Sequence, residues 1–192
     1  DLRMSRGLGD VYKRQILREV QKAVIGKDLV LTKVLLAFLA GGHVLMEDMP
    51  GVGKTTLAMA FSKALGLNCR RVQFTPDVLP SDLTGFSVYE KNTGTFVFQP
   101  GALFCHLLLA DEINRTSSKT QAALLEAMEE SNVTVEGKTY ALPRPHLVIA
   151  TQNPLGCVGT QSLPESQLDR FLMRLHMGSV SYTHLRAHET CA

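Results

Sequence analysis

The residues best suited to chemistry lie in a glycine-rich loop between a short apolar run and an amphipathic segment. Residues 44–46 are apolar, and the next loop contains Pro50, Gly51, Val52, Gly53, Lys54, Thr55 and Thr56. Glycines let the backbone curl so that several N–H groups point at one anion, and the helix start adds the positive end of its dipole. The pattern predicts a phosphate-binding loop in which Lys54 contacts the β- and γ-phosphates and Thr55 holds Mg²⁺. Asp48 stands where GxxxxGK[ST] has its first glycine, and a turn that only caps a helix is the alternative.

Two adjacent carboxylates come after a second apolar run. Asp111 and Glu112 stand directly after the residues LLLA. Because polar groups at the ends of parallel strands gather at one edge of the sheet, we expect this pair to face the phosphate-binding loop. Asp111 is then placed to hold Mg²⁺ through its water shell, and Glu112 to orient and deprotonate an attacking water. A solvated turn is the alternative.

Two further residues are candidates for contact with the terminal phosphate. Asn153 ends another apolar run and is predicted to contact the γ-phosphate or the water, although a turn-forming role before Pro154 is the alternative. Arg170, within QLDRF, is predicted to place its charge on the γ-phosphate of a neighbouring subunit. A surface salt bridge is the alternative role for Arg170.

Composition excludes several classes of protein. Of the 192 residues 45% are hydrophobic and the mean hydropathy is +0.05, which excludes a disordered chain. A formal net charge of +2 provides no basic footprint for nucleic acid. No apolar run is long enough to span a bilayer, and no secretory signal is visible. The four cysteines are far apart in sequence and predict reduced thiols in a cytoplasmic protein: Cys69, Cys105, Cys157 and Cys191.

The elements that must position these residues alternate between helix and strand. Helices are predicted at 16–24, 29–39, from the loop to Leu65, from Ser118 (a capping box with Gln121) to Glu130, and at 164–170. Strands are predicted at 43–46, 71–74, 107–110, 146–150 and 171–177, and hairpins at 85–98 and 133–142. This alternation predicts an α/β fold with a parallel sheet covered on both faces.

The two ends of the chain are expected to be artefacts. Residues 5–15 and 180–190 show no helix or strand period. One DNA sequence that encodes SRGLGDVYKRQ at 5–15 encodes VSYTHLRAHE at 180–189 in its reverse complement. Such a segment resembles a transposase-based library adapter translated at both ends of an insert, and two natural tails that match by chance are the alternative. We therefore assign 1–15 and 179–192 to adapter sequence and 16–178 to a core domain.

Seven motifs in this order give the natural segment a specific resemblance. They are VIGKD, MEDMPGVGKT, LLLADEINR, QAALLEAMEE, VTVEG, ATQNP and LPESQLDRF. Together they resemble the MoxR family of AAA+ ATPases. The resemblance implies a P-loop NTPase fold with a three-layer αβα core, a five-stranded parallel sheet and two inserted β-hairpins. It also implies a Walker A motif ending at Lys54-Thr55, a Walker B motif ending at Asp111-Glu112, a sensor-1 Asn153 and an arginine finger at Arg170.

The same resemblance implies ligands and partners. Val24, Ile25 and Gly26 match the segment that meets adenine, and the implied cofactors are ATP and Mg²⁺. Family members form homo-oligomeric, usually hexameric, rings that remodel or mature partner proteins, often with a von Willebrand factor A domain protein, and they assist cofactor or metal insertion. A helical lid with a sensor-2 arginine is expected beyond Gly178. Two segments depart from the family pattern: Ala102 replaces an expected proline, and residues 114–117 also lack one.

Two other functions compete with the remodelling ATPase. An AAA+ motor acting on nucleic acid would share the hairpins, but near-neutral charge and the absence of interleaved basic and aromatic residues weigh against it. A nucleotide-binding module without turnover is the third possibility for the truncated chain, and the intact Glu112 weighs against it for the parent protein. No contact with nucleic acid and no membrane insertion are expected.

Overall fold

The computed structural model describes residues 2–47, 53–153 and 163–178, with side chains from Asp10 onward. Within these ranges the helices are α1 (Leu2–Gln21), α2 (Asp28–Leu39), α3 (Lys54–Leu65), α4 (Pro80–Thr84), α5 (Ser118–Glu130) and α6 (Glu165–Leu168). The strands are β1 (His43–Glu47), β2 (Cys69–Gln73), β3 (Gly85–Glu90), β4 (Thr95–Pro100), β5 (Leu107–Asp111), β6 (Asn132–Val135), β7 (Lys138–Ala141), β8 (Leu147–Gln152) and β9 (Phe171–Leu175).

Five strands form one parallel sheet in the order β2-β5-β8-β1-β9. Strand β8 therefore lies between β1, which leads into the glycine-rich loop, and β5, which ends in Asp111. Because all five strands run in the same direction, their carboxyl ends meet at one edge of the sheet. The predicted five-stranded parallel sheet is confirmed.

The three central strands β1, β5 and β8 are buried on both faces, as their continuous apolar sequences predict. Alternate strand residues, such as Val44, Leu109 and Ile149, pack with α1, α2 and α3 on one face. Their sequence neighbours, such as Leu45 and Leu108, pack with α5 on the other. Successive strand side chains point to opposite faces, so each strand contributes to both cores. This arrangement is the three-layer α/β/α architecture.

Two antiparallel hairpins, β3–β4 and β6–β7, project from this core. The second turns at Glu136 and Gly137, whose φ angles of 51° and 77° match the left-handed turn that twisted strand pairs favour. Phe98 of the first hairpin stacks on Tyr140 of the second at a centroid distance of 3.9 Å. Both predicted hairpins are confirmed. Within the three ranges that the structure describes, no helix is long and apolar enough to cross a membrane.

Two local predictions are wrong. The sequence predicts no helical structure for residues 5–15, yet α1 runs through them. Extension of an existing helix adds one hydrogen bond per residue without a new nucleation step, so the segment continues the helix of residues 16–21 although residues 10–15 are exposed. The cap of α5 is Ser117 rather than Ser118: its backbone is extended, and its Oγ accepts from the Thr120 N–H at 3.3 Å.

A buried histidine lies at the amino edge of the sheet, opposite the carboxyl ends. His43 is 7% exposed. The Val148 N–H donates to its Nδ1 at 3.1 Å, so Nε2 carries the proton and donates to the Met128 carbonyl at 3.0 Å. Burial lowers the pKa of His43 to about 4, and the neighbouring His146 ring, 6.2 Å away, acts in the same direction.

We expect this histidine to make the folded state sensitive to mild acid. Its folded pKa of about 4 lies below its ordinary value of 6.5, so its stabilisation is complete above pH 6.5 and is lost as the pH falls toward 4. At pH 5 the loss amounts to about 2 kcal/mol. Urea unfolding at pH 7 and pH 5 measures it. His43→Gln keeps an amide donor and acceptor but cannot titrate, so it should lose less stability between the two pH values; an equal loss would contradict this origin.

Candidate active site

The glycine-rich loop enters α3 through a left-handed residue. Gly53 has φ 91° and ψ 18°, a conformation that a residue with a Cβ adopts only with strain, and α3 begins at the next residue, Lys54. Lys54 is 9% exposed, and it lies with Thr55 in the first turn of the helix, where N–H groups that have no acceptor within a helix and the helix dipole favour an anion. The predicted site residues Pro50, Gly51 and Val52 lie outside the described residues.

A cavity of about 320 Å³ brings the loop and the carboxylates together. The described residues that line it come from the start of α3 and the glycine before it, from β2, and from the carboxyl ends of β5 and β8. They are Gly53, Lys54, Thr55, Arg71, Gln73, Asp111, Glu112 and Thr151. The strand order explains this meeting, because β5 and β1 are separated only by β8.

Asp111 is held through both carboxylate oxygens. It is 6% exposed at the end of β5. The Thr151 hydroxyl on β8 donates to Oδ1 at 3.2 Å, and the Arg71 Nε on β2 donates to Oδ2 at 2.7 Å. A buried carboxylate needs such partners, because it would otherwise lose its hydration without compensation. The two neighbouring strands thus fix the position of this carboxylate.

Glu112 leaves the strand in a left-handed conformation, with φ 57° and ψ 49°. Its N–H donates to the Thr151 hydroxyl at 2.9 Å, which offsets part of the strain of this backbone. Its Oε2 accepts from Gln73 Nε2 at 3.0 Å and from Arg115 Nη1 at 2.8 Å. The turn directs the carboxylate away from the path of β5 and into the cavity wall.

The remaining phosphate-site candidates are placed differently. Asn153 lies directly after β8, and its carbonyl accepts from Asn114 Nδ2 at 3.1 Å, so the strand end is tied to the turn after β5. Arg170 is not among the described residues that line the cavity. Its guanidinium instead pairs with Glu129 of α5 at 2.8 Å, the kind of surface salt bridge given above as the alternative role. The structure of one chain therefore brings the glycine-rich loop and the Asp111–Glu112 pair together, but it does not bring Arg170 to them.

The segment predicted to meet adenine forms the turn between α1 and α2. Val24 is buried, Ile25 is exposed, and Gly26 has φ 73°. The residue before Val24 lines a second cavity of about 310 Å³, whose described lining is Ala23, Thr55, Thr56, Met59, Ala60 and Lys63. Thr55 lines both cavities, so the turn and the phosphate side are connected along the start of α3.

Arg71, Gln73 and Thr151 are functional candidates that sequence reasoning missed. A signal existed for Thr151, because a polar residue near the end of the apolar strand β8 is unusual in a parallel sheet. Arg71 and Gln73 lie on the polar strand β2 and become relevant because that strand pairs with β5 and sets Gln73 opposite Asp111. That register depends on strand order, which no local pattern reveals.

The donor set fits a magnesium ion. The Asp111 carboxylate and the Thr55 hydroxyl line one cavity with Lys54, and Mg²⁺ prefers a few protein oxygens together with water and phosphate. No soft sulfur ligand lines this cavity among the described residues. The residues present therefore suit a Mg²⁺–nucleotide complex better than a thiolate-bound metal.

Comparison with known proteins agrees with this geometry. The model of the ATPase family associated with various cellular activities (AAA) matches residues 43–173. The chain is 42% identical over 160 residues to chaperone MoxR1 of Mycobacterium tuberculosis, covering 83% of this chain and 42% of that protein. It is 35% identical over 165 residues to protein MoxR of Methylorubrum extorquens, a match that covers 83% of this chain and 48% of that protein. The chain belongs to the MoxR family of AAA+ ATPases.

Two further matches extend the comparison. Protein YeaC of Bacillus subtilis is 52% identical over 166 residues, covering 86% of this chain and 52% of that protein. The crystal structure of a candidate ATPase from Cytophaga hutchinsonii aligns with a TM-score of 0.78 at 38% identity, covering 93% of this chain and 55% of that one. The chain thus spans about half the length of the relatives it matches.

Proposed function

We propose that the protein binds and hydrolyses ATP and uses the energy to remodel or mature partner proteins. The observation that carries the proposal is the single cavity in which Lys54, Thr55, Asp111 and Glu112 meet. A cation at a helix start, a hydroxyl and two carboxylates are the groups that phosphoryl transfer to water requires. Residues 16–178 form the core ATPase domain in this proposal.

Each residue has a distinct task. The N–H groups at the start of α3 and the Lys54 ammonium bind the β- and γ-phosphates, and Val24, Ile25 and Gly26 border the adenine. Thr55 and Asp111 would hold Mg²⁺, which when bound neutralises phosphate charge. The Glu112 carboxylate orients the attacking water and accepts its proton, and Asn153 contacts the γ-phosphate or that water.

Assembly into a ring would complete the site. Arg170 pairs with Glu129 of α5 and is not among the described residues that line the cavity of its own chain. We therefore propose that it acts on nucleotide bound to a neighbouring subunit of a homo-oligomeric, hexameric ring. The relatives named chaperone MoxR1 and protein MoxR support a chaperone-like role. A von Willebrand factor A domain partner, assistance with cofactor or metal insertion, and a cytoplasmic location belong to the same proposal.

Loss of Lys54 tests the nucleotide assignment. We expect Lys54→Ala in the full-length parent protein to weaken ATP binding roughly ten- to hundredfold and to remove turnover, because a charge-assisted contact to phosphate is lost. Equilibrium binding of a fluorescent ATP analogue and phosphate release measure the two effects. Lys33→Ala, an exposed lysine on α2, is the matched control and should match the wild type. If the wild-type protein binds ATP but does not hydrolyse it, the result would favour the alternative function, a nucleotide-binding module without turnover.

A further inference from the structure

We propose that Arg71 is a positioning residue whose guanidinium pairs with the Asp111 carboxylate when no nucleotide is bound. A divalent cation then binds Asp111 only together with phosphate. The inference rests on the proposed function and concerns the same cavity. It assigns a role to a residue outside the loop, the carboxylate pair and the predicted arginine finger. The class of ligand it controls is a hard divalent cation.

The first support is the occupancy of the Asp111 carboxylate. Arg71 Nε donates to Oδ2 at 2.7 Å, and the Thr151 hydroxyl donates to Oδ1 at 3.2 Å. Each oxygen therefore has a donor in the structure. A cation at Oδ2, bound directly or through its water shell, competes with the guanidinium, because two positive groups next to one oxygen repel each other.

The second support is the unequal anchoring of the two partners. The Asp111 side chain is 9% exposed and belongs to a central region of the sheet, whereas the Arg71 side chain is 53% exposed on the outer strand β2. A long, half-exposed arginine changes rotamer at low cost, while the buried carboxylate does not move without disturbing β5 and β8. Arg71 is therefore the partner that can leave.

The third support is the charge of the cavity. The described lining balances Lys54 and Arg71 against Asp111 and Glu112. Each of these carboxylates already pairs with an arginine, Asp111 with Arg71 and Glu112 with Arg115, so a bare divalent cation gains little attraction there. Once a triphosphate adds negative charge, the cation can take Asp111, and the released Arg71 remains within the same cavity to interact with phosphate oxygens.

Two opposite changes are expected when Arg71 is removed. In the full chain without nucleotide, Arg71→Gln should bind Mn²⁺ about five- to tenfold more tightly than the wild type, as measured by the electron paramagnetic resonance signal of free Mn²⁺. In EDTA the same variant should bind a fluorescent ATP analogue several-fold more weakly, because one cation near the phosphates is lost. A purely structural role would not move the two affinities in opposite directions.

The neighbouring arginine provides the matched control. Arg70 lies on the same strand, but its guanidinium donates to the Gly101 carbonyl at 2.9 Å. Arg70→Gln removes the same charge from β2 and should leave Mn²⁺ affinity at the wild-type value. Adding Asp111→Asn to Arg71→Gln should erase the gain in Mn²⁺ binding, since the gain depends on that carboxylate.

The outcomes decide the proposal without ambiguity. Mn²⁺ affinity of Arg71→Gln no higher than that of Arg70→Gln would overturn it, as would a fall in both affinities. If Arg71→Gln does not fold, Arg71→Lys decides: a gain in Mn²⁺ affinity of about twofold supports the role of the Nε contact, and no gain overturns it. Failure of the wild type to bind ATP would count against the proposed ATPase function alone, because the Mn²⁺ measurement needs no nucleotide.

Discussion

Glu112→Gln is expected to lower ATP turnover by about a hundredfold or more while ATP binding stays close to the wild-type value. An amide cannot accept the proton of the attacking water, and removal of a positioned general base typically costs this much. Phosphate binding should survive, because the contacts assigned to Lys54 and the start of α3 do not involve residue 112. Single-turnover phosphate release and equilibrium binding of a fluorescent ATP analogue separate the two quantities.

The geometry around Glu112 makes the substitution conservative. Oε2 accepts from Gln73 and from Arg115, and an amide oxygen in that place can accept from the same two donors. The left-handed backbone is tied by its N–H to Thr151, which the substitution leaves untouched. Glu130→Gln, an exposed carboxylate at the end of α5, is the matched control. Undiminished hydrolysis in Glu112→Gln would remove the general base from the mechanism.

The placement of Asp111 and Glu112 was predictable because it depends on local rules. A continuous apolar run such as residues 107–110 forms a strand buried on both faces, and parallel strands bring the residues after them to one edge of the sheet. The start of α3 at Lys54 likewise depends on the glycine that precedes it. Each of these inferences needs only neighbouring residues, so the sequence suffices.

The surroundings of the carboxylates were not predictable in the same way. Arg71 and Gln73 matter only because β2 pairs with β5 in a register that sets Gln73 opposite Asp111. Strand order is a property of the whole sheet, and a shift of one residue would turn both side chains to the other face. The left-handed conformation of Glu112 is equally hidden, since it is supported by the hydrogen bond from its N–H to Thr151 on another strand.

Prediction of α1 and of the α5 cap failed for different reasons. Residues 5–15 lack a helical period of apolar residues, but hydrophobic periodicity indicates which face is buried rather than whether a helix forms. Residues 10–15 form an exposed part of α1 that extends its partly buried part. At α5 both Ser117 and Ser118 are suitable caps by residue type. Backbone geometry decides between them, because the cap must be extended while the next residue is already helical.

Arg170→Ala is expected to lower turnover by about a thousandfold in the full-length parent protein and to leave ATP binding intact. A positive charge on the transferred phosphate contributes this much where an arginine finger acts. In the single chain Arg170 pairs with Glu129, and the two side chains are 35% and 59% exposed. An ion pair this exposed is weak, so a neighbouring subunit can draw the guanidinium away at little cost. Glu129→Ala releases the same arginine without removing it and should keep turnover near the wild-type value.

Mixing two inactive variants tests whether the arginine acts between subunits. Arg170→Ala subunits keep an intact phosphate loop, and Lys54→Ala subunits keep an intact arginine. When the two variants are mixed in equal amounts, about a quarter of the head-to-tail interfaces join an intact phosphate loop to an intact Arg170. Part of the wild-type turnover should therefore return. Co-purification of differently tagged subunits verifies that mixed rings form. Mixed rings that remain inactive would show that Arg170 does not serve the nucleotide of its neighbour, and its contact with Glu129 would then be its main role.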